Sequence, residues 1–498
     1  MSLHSSSSQT HEPQSPTRVR HSVICGPLLR YINIDYDKQL WRGSCLIVST
    51  DRDPQPCLEL EMRSQHGETR SVKTHGELLD SFRDQYHFWR FELQLPLLNE
   101  AQTVTYWIRV GKSFTFHLAS LKESMRFMFY SCNGFSDISQ QIKDLFGGGT
   151  APLWADALDR HEIMPFHVML GGGDQLYQDR LIHEDYMKLW CQEKDPKKRI
   201  AMQLSGSMRE GFEQFYFWNY IKNFGFKENP VVARALASIP SVNMWDDHHT
   251  TIKLAQYHGL IQGFLPTCQH IVTTLGPDIG LLAMDARGER TKYDICRPQS
   301  YDKLFEALYH MPQSVKHVLV LTGVPLIYPR LTVFEKAMDS VASFDLATLA
   351  GKTGALGNAI GGQLNKWNGD PELLDDMNDH WTAGNHMEER RIFILRLQQY
   401  ARDRSIRISF LGGDVHCCAT GKLYSRDMVN KEEGDPRLMV QIISSAIVNV
   451  PPPKALLTVL NRQSSPIAFD AVTQEEMYEL FKRSPNGEPA TLIEKQER

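Results

Sequence analysis

The sequence HVMLGGGDQLY at residues 167–177 decides the fold assignment, because a short apolar run passes through three glycines into a polar cluster. The run 167–170 predicts a buried β-strand, and the glycines allow the backbone to turn sharply after it. Asp174 would then lie at the end of that strand, where open α/β sheets place their sites. Each oxygen of its carboxylate can bind one cation, and Tyr177 would face the same cavity from the start of a helix. A glycine turn that Asp174 merely caps is the alternative interpretation.

A second motif, WDDH at residues 245–248, follows the apolar segment 241–245. Asp246, Asp247 and His248 place three candidate ligands within one turn of chain, and Asp and His are common ligands of hydrolytic metal centres. A surface loop that holds this combination by chance is the alternative.

The third motif is GGDVH at residues 412–416, after the apolar run 406–411. Residues at i and i+2 of an extended backbone point the same way, so Asp414 and His416 can face one site. A structural histidine whose hydrogen bonds are satisfied is the alternative for His416.

Cys132 ends another apolar segment, 126–131, and precedes a polar Asn-Gly turn. A lone buried cysteine is normally an inert small hydrophobic residue. Its position at a predicted strand end makes it a fourth candidate ligand.

A fifth strand ending is the sequence DAR at residues 285–287. Arg287 could clamp a substrate phosphate or pair with Asp285. Between these two interpretations the short spacing favours the ion pair with Asp285.

Two histidines outside these motifs, His380 and His386, flank Trp381 in a polar stretch before a long predicted helix. Either could line a cleft. A solvated loop is the favoured interpretation for both.

Short apolar strands alternate with amphipathic segments after residue 119, which predicts an α/β sheet with helices packed on its faces. The predicted strands are 126–131, 167–170, 241–245, 279–285, 317–322 and 406–411, and the predicted helices are 177–192, 209–224 and 386–403. In the last helix Ile392, Leu395, Leu397 and Tyr400 are expected on one side.

The predicted domain organisation has four parts. Residues 1–20 read as a disordered tail, and 21–118 as a small β-sandwich because several alternating strands follow one another without a strong helix. Residues 119–470 form the catalytic domain, with a Gly- and Asn-rich loop at 346–370, and residues 471–498 form a C-terminal helix and frayed tail.

The composition limits the function classes. A net charge of −5 argues against binding nucleic acid by neutralising its phosphates, and no basic, aromatic-rich groove is apparent. The nine cysteines form no C-x-x-C pair, which suits a reducing compartment. The N-terminus lacks a signal-peptide pattern and no apolar run is long enough to span a bilayer. We therefore expect a cytoplasmic protein, with peripheral attachment to a membrane left open.

Acids and histidines at the ends of several separate strands predict one chemistry. Two cations about 4 Å apart can hold a hydroxide and neutralise phosphoryl oxygens during in-line attack. A nearby histidine can stabilise that charge or protonate the leaving group. The expected activity is metal-dependent hydrolysis of a small phosphorylated substrate, a phosphate monoester or diester.

In their order along the chain, these motifs resemble those of the PhoD-like phosphatases, within the metallophosphoesterase superfamily. The resemblance covers most of residues 20–470 and rests on SCN, GDQLY, WDDH and GDVH. RGERT (287–291), DHW (379–381) and SSAIVN (444–449) are similar to the fungal branch. The resemblance implies a four-layer αββα catalytic fold.

The resemblance also implies a metal set of iron with calcium, and the same ligand types accept Mn or Zn. Cys132, Asp174 and Tyr177 would hold the iron, with Asp174 shared between metals; a tyrosine phenolate favours a ferric ion. Asp247 or His248 would fill the middle position, with Asp246 beside them as a candidate ligand. The pair Asp414 and His416 would complete the site. His416, Asp247 and His248 are the catalytic candidates that follow from it.

One departure from the family pattern leaves an alternative open. The Asp-Asp-His motif usually continues into another acid, whereas here it continues as HTTI at residues 249–252. The segment between Asp247 and the strand at 279–285 is also short. The alternative hypothesis is a catalytically impaired relative that binds a phosphorylated ligand or partner.

Overall fold

The structure is a computed structural model. It describes residues 22–108, 113–135, 152–193, 195, 198, 201–244, 246, 270–291, 293–329, 380–428, 432–452, 457, 460 and 465–478. The predicted tail at 1–20 and the predicted loop at 346–370 lie outside these residues.

The β-strands of the described residues carry labels in chain order. They are β1 (Val23–Asp35), β2 (Leu40–Ser49), β3 (Cys57–Ser64), β4 (Thr69–His75), β5 (Glu77–Phe82), β6 (Tyr86–Pro96), β7 (Gln102–Ile108), β8 (Ser113–Leu118), β9 (Phe127–Tyr130), β10 (Val168–Gly172), β11 (Ser241–Met244), β12 (Ile271–Thr274), β13 (Ile279–Ala283), β14 (His317–Leu321), β15 (Arg407–Gly412), β16 (Ala419–Ser425), β17 (Met439–Ile443), β18 (Ile467–Ala468) and β19 (Thr473–Met477).

The α-helices are labelled in the same way. They are α1 (Pro152–Ile163), α2 (Lys188–Gln192), α3 (Gly206–Phe224), α4 (Pro230–Ser238), α5 (Pro298–Tyr309) and α6 (Met387–Arg404). Short 3₁₀ turns occupy Asp179–His183, Asp185–Met187, Arg426–Met428 and Glu432–Gly434. Among the described residues, no helix combines the length and the apolar composition needed to cross a bilayer.

The first sheet has seven strands in the order β5-β6-β2-β1-β11-β10-β9. Strand β1 pairs in parallel with β11, where Arg30 lies opposite Ser241. Strands β10 and β11 are also parallel, so the chain leaves both at the same edge of the sheet. The sheet therefore crosses the predicted boundary at residue 118, and four of its strands come from the region predicted to be a separate sandwich. Only β3, β4, β7 and β8 form a sheet of their own, in the order β4-β3-β7-β8.

The second sheet has eight strands in the order β12-β13-β14-β15-β17-β16-β19-β18. Its central strands β13, β14, β15 and β17 are parallel. Strand β19 pairs antiparallel with β16, between Thr473 and Met477. The prediction of a C-terminal helix from residue 471 is therefore wrong at these positions.

The sheets are packed on both faces, which explains why their strands read as continuous apolar runs rather than alternating ones. Met169 of β10 packs with α1, α3 and α4 on one face of the first sheet. Its neighbour Leu170 points the opposite way, into a core shared with Tyr106 of β7 and with Leu281 and Leu319 of the second sheet. The other face of the second sheet packs against α5 and α6.

Predicted and observed elements agree where the apolar pattern is strong. All six strands predicted after residue 119 are confirmed, as β9, β10, β11, β13, β14 and β15, and the helices predicted at 209–224 and 386–403 correspond to α3 and α6. The helix predicted at 177–192 is wrong, because the chain forms two 3₁₀ turns and only the short α2 there. The face predicted for α6 is right in part: Leu397 and Tyr400 are buried, whereas Ile392 is 47% exposed and Phe393 and Ile394 are buried in its place.

Candidate metal centre

Three carboxylates from distant parts of the chain meet at one point. Asp174 follows β10, Asp246 follows β11 and Asp414 follows β15, so two come from the first sheet and one from the second. Each offers an oxygen that lies within 4.8 Å of the oxygens offered by the other two. Asp174 and Asp246 are buried, and the side chain of Asp414 is 16% exposed. The strand ends that the sequence predicted to converge do converge.

The glycine before Asp174 is required by the space around Asp246. Gly173 has a φ of +118°, and a Cβ built on it would lie 2.5 Å from Oδ2 of Asp246. No side chain fits at that distance, and L-residues rarely adopt that backbone conformation. The glycine turn therefore brings two carboxylates closer together than any other residue would permit.

The backbone is left-handed at four of the predicted ligands. The φ angles of Cys132, Asp174, Asp414 and His416 are +55°, +47°, +69° and +53°. Such conformations cost about 1–3 kcal/mol each in non-glycine residues and cluster at functional sites. Hydrogen bonds between the loops hold them, among them Cys132 N–H to the Gly173 carbonyl at 3.1 Å.

Tyr177 joins Asp174 to His416. Its hydroxyl donates to Oδ2 of Asp174 at 3.3 Å and lies 3.1 Å from Nε2 of His416. Burial, reinforced by Cys132 and Asp174, raises the pKa of this phenol well above its ordinary value. The side chain is a neutral phenol in this environment, and a cation bound beside it would favour the phenolate.

Cys132 lies in the same buried pocket, packed with Tyr177 and Ala446. Burial raises the pKa of its thiol well above the ordinary value, and the carboxylate of Asp174 raises it further. The side chain therefore stays a thiol, and the thiol form is not nucleophilic. A thiolate at this position requires a nearby positive charge.

Asn449 contributes a polar group that the sequence analysis did not assign. Its Nδ2 lies 3.4 Å from Nε2 of His416, and the side chain is buried. The segment SSAIVN resembles the fungal branch, but its position in the sequence does not indicate that Asn449 reaches the same pocket as His416.

Arg287 lies in the carboxylate cluster and does not form the predicted ion pair with Asp285. Its Nε donates to Oδ1 of Asp246, and its Nη2 lies 3.4 Å from Oδ1 of Asp414. Asp285 instead accepts hydrogen bonds from backbone N–H groups, at 2.9 Å from Arg287 and 2.7 Å from Gly288.

His380 and His386 are not the solvated loop residues that the sequence favoured. Nε2 of His380 lies 3.9 Å from Oδ2 of Asp414, and its side chain is 12% exposed. His386 is buried beside the first turn of α6. Their neighbours in the sequence are polar and therefore suggest exposure. The residues that cover them come from other parts of the chain.

Trp245, Asp247 and His248 lie outside the described residues. The roles predicted for Asp247 and His248 therefore stay predictions.

The donor set fits a metal ion. The carboxylates of Asp174, Asp246 and Asp414 are hard ligands, and the phenol, thiol and imidazole beside Asp174 add ligand types that iron and zinc accept. Carboxylates this close repel one another by several kcal/mol at the effective dielectric constant of a protein. Positive charge is needed to hold them together.

One family model matches most of this chain. A family model described as PhoD related phosphatase matches residues 99–263, 248–358 and 344–496. An uncharacterized protein of Saccharomyces cerevisiae is 29% identical in an alignment that covers 94% of this chain and 79% of the yeast protein.

Two solved structures are also similar. The structure of PhoD has a TM-score of 0.46 and 11% identity, with 84% of this chain and 77% of that chain covered. The purple acid phosphatase PPD1 of yellow lupin, Lupinus luteus, has a TM-score of 0.47 and 11% identity, with 91% and 69% covered.

Proposed function

The chain belongs to the PhoD-related phosphatase family, and on that premise we propose that it hydrolyses phosphate esters with metal bound at the Asp174–Asp246–Asp414 cluster. The observation that carries the proposal is the convergence of these three carboxylates from two sheets. Such convergence is expected of a metal-dependent phosphoesterase and has no use in a purely structural turn. Membership of a phosphatase family implies a small phosphorylated substrate.

The proposed metal ligands fall into two groups. The first group is Asp174, Tyr177, Cys132 and His416, whose phenol and thiol favour iron, with Mn or Zn as further candidates. The second group is Asp246 and Asp414, which offer only carboxylate oxygens and suit calcium or a similar hard cation. Metal bound at this cluster would neutralise phosphoryl oxygens and make water more acidic.

The side chains around the cluster would bind and orient the substrate. Arg287, among the carboxylates, would present positive charge to a phosphate group, which was the less favoured of the two interpretations of its sequence. The left-handed backbones at Asp174, Asp414 and His416 fix these side chains before substrate arrives, which lowers the cost of organising the site. His416 is the proposed proton carrier near the leaving group, and Asp247 and His248 remain candidates for the same chemistry.

The finer features of the fold are also proposals. We propose that the four-layer αββα arrangement places helices α1, α3 and α4 on the outside of one sheet and α5 and α6 on the outside of the other. The clusters that pack these helices support it.

Hydrolysis of generic substrates tests the proposed function. The full chain would be stripped of metal, reloaded with Fe, Mn, Zn or Ca, and assayed with p-nitrophenyl phosphate and bis-p-nitrophenyl phosphate. We expect metal-dependent release of nitrophenol and a fall of more than about 100-fold in the Asp174→Asn variant, because a metal ligand is lost. Asp159→Asn, on the exposed side of α1, is the matched control and should retain full activity. Activity that is independent of metal, or unchanged in Asp174→Asn, would refute the assigned site.

A further inference from the structure

We propose that Arg287 is a built-in cation that occupies the second metal position, so that the chain binds one metal ion rather than the two expected from the sequence. The proposal rests on the function proposed above, since it concerns the same carboxylate cluster. It reduces the expected number of bound metal ions from two to one and assigns part of the positive charge to the side chain of Arg287.

The contacts of Arg287 support this assignment. Its guanidinium donates through Nε to Asp246 and lies within reach of Asp414 through Nη2, at 3.4 Å. These are the two carboxylates proposed above to hold the second cation. Charge-assisted hydrogen bonds from a guanidinium to carboxylates are among the strongest in proteins. A cation entering between Asp246 and Asp414 would have to displace it.

The backbone of Arg287 is fixed in this position. Oδ1 of Asp285 accepts the N–H groups of Arg287 and Gly288, which holds the turn at the end of β13. The N–H of Asp285 donates to Nδ1 of His270 at 2.9 Å. A Cβ on Gly288 would lie 2.4 Å from Oδ2 of Asp285, so the turn closes tightly around that carboxylate. The turn aims the arginine at the cluster, as expected for a residue with a defined role there.

Arg287 supplies part of the positive charge that the carboxylates require. Asp246 and Asp414, the two carboxylates proposed above for the second cation, both contact it. The guanidinium thus offsets their mutual repulsion, which a second metal ion would otherwise have to offset.

Counting bound Mn²⁺ tests the proposal. The full chain would be stripped with a chelator and titrated with Mn²⁺, with stoichiometry measured by calorimetry and elemental analysis and magnetic coupling by electron paramagnetic resonance. We expect one tightly bound Mn²⁺ per chain and an uncoupled signal. Arg287→Met removes the charge but keeps much of the side-chain length, and we expect it to bind a second Mn²⁺ and to show a coupled signal.

Two further variants serve as controls. Arg287→Lys keeps the positive charge and should still bind one Mn²⁺. If it does, a second Mn²⁺ in Arg287→Met results from the lost charge and not from a folding defect caused by replacing the arginine. Arg297→Met removes an exposed arginine from the segment that leads into α5 and should match the unmodified chain.

The outcomes separate this inference from the proposed function. Two Mn²⁺ ions bound tightly by the unmodified chain, or one in both the unmodified chain and Arg287→Met, would overturn the role of Arg287 and leave the proposed function intact. No Mn²⁺ bound by any of these chains, together with no metal-dependent hydrolysis, would overturn both. A rise from one to two ions on losing the charge, but not in Arg287→Lys, supports the inference.

Discussion

Four residues of the candidate centre, Cys132, Asp174, Asp414 and His416, have left-handed backbone. Residues with a Cβ adopt this conformation uncommonly, so the surrounding loops must stabilise it. The cost is useful only if the exact directions of these side chains matter. Side chains fixed in this way are expected of a site that is organised before it binds its ligands.

The Gly173→Ala variant tests this tight organisation. Its new methyl group would meet Asp246 at 2.5 Å on a backbone with a φ of +118°. We expect a loss of about 3 kcal/mol in the free energy of unfolding, from the backbone and the steric conflict together. Denaturant unfolding measures it.

Gly67→Ala is the matched control. Gly67 also has positive φ, at +88°, but nothing lies within 4 Å of a Cβ built there. This variant should lose only about 1 kcal/mol, from the backbone alone. Equal losses in the two variants would contradict the close approach of Gly173 to Asp246.

The positions of some of these residues could be predicted from sequence patterns, whereas the contacts of others could not, for one physical reason. Asp174 and Asp414 could be predicted because each follows an apolar run and a glycine turn on its own stretch of chain. Arg287 could be located, but its partners could not, since Asp285 is near in sequence whereas Asp246 and Asp414 are 41 and 127 residues away. The contacts of His380 and Asn449 are likewise set by packing between loops, which leaves no local pattern.

At the scale of elements, burial on both faces made the central strands easy to predict. Strands β10 and β14 are nearly continuous apolar runs that only a sheet covered on both sides can bury. The segment after Tyr177 has helical composition, but its backbone forms 3₁₀ turns at Asp179–His183 and Asp185–Met187. The pairing of β1 with β11 could not be predicted, because the residue pattern of a strand does not indicate which other strand pairs with it.

Three histidines from separate elements meet near the start of β10, and they predict acid sensitivity. His117 lies on β8, His161 on α1 and His167 just before β10. Burial lowers the pKa of His161 to about 4 and that of His167 to about 3, with neighbouring positive groups adding to the effect; burial also lowers the pKa of His117. The folded chain thus keeps these rings neutral at pH values where the unfolded chain protonates them.

The sign of the pH effect follows from that difference. Below pH 6.5 the unfolded state binds protons that the folded state does not, so stability falls as the pH decreases towards 4. We expect a loss of up to about 1.4 kcal/mol per pH unit for each buried histidine, measured by denaturant unfolding between pH 7 and pH 5. His161→Gln, which cannot titrate, should reduce the slope, whereas His66→Gln at an exposed position should not. A slope unchanged in His161→Gln would contradict the account.

At the scale of the whole molecule, one core joins the regions that carry the metal centre. Leu60 and Tyr106 of the four-stranded sheet, Leu170 of the first sheet and Leu319 of the second belong to the same cluster of buried residues. The positions of Asp174 and His416 therefore depend on how the two sheets pack, and binding at the centre should stabilise the packing of both. The pattern of alternating strands predicted a separate N-terminal sandwich, because such a pattern cannot reveal that strands from both regions share a sheet.

Thermal unfolding with and without Mn²⁺ tests the convergence of the two sheets on one centre most directly. Metal that binds only the folded chain raises its Tm, and a ligand from either sheet should be required. We predict that Asp174→Asn and His416→Gln each abolish most of the Mn²⁺-induced rise in Tm, and that the double variant loses no more than either one. A rise that survives either substitution, or losses that add in the double variant, would show two independent sites and contradict the shared centre.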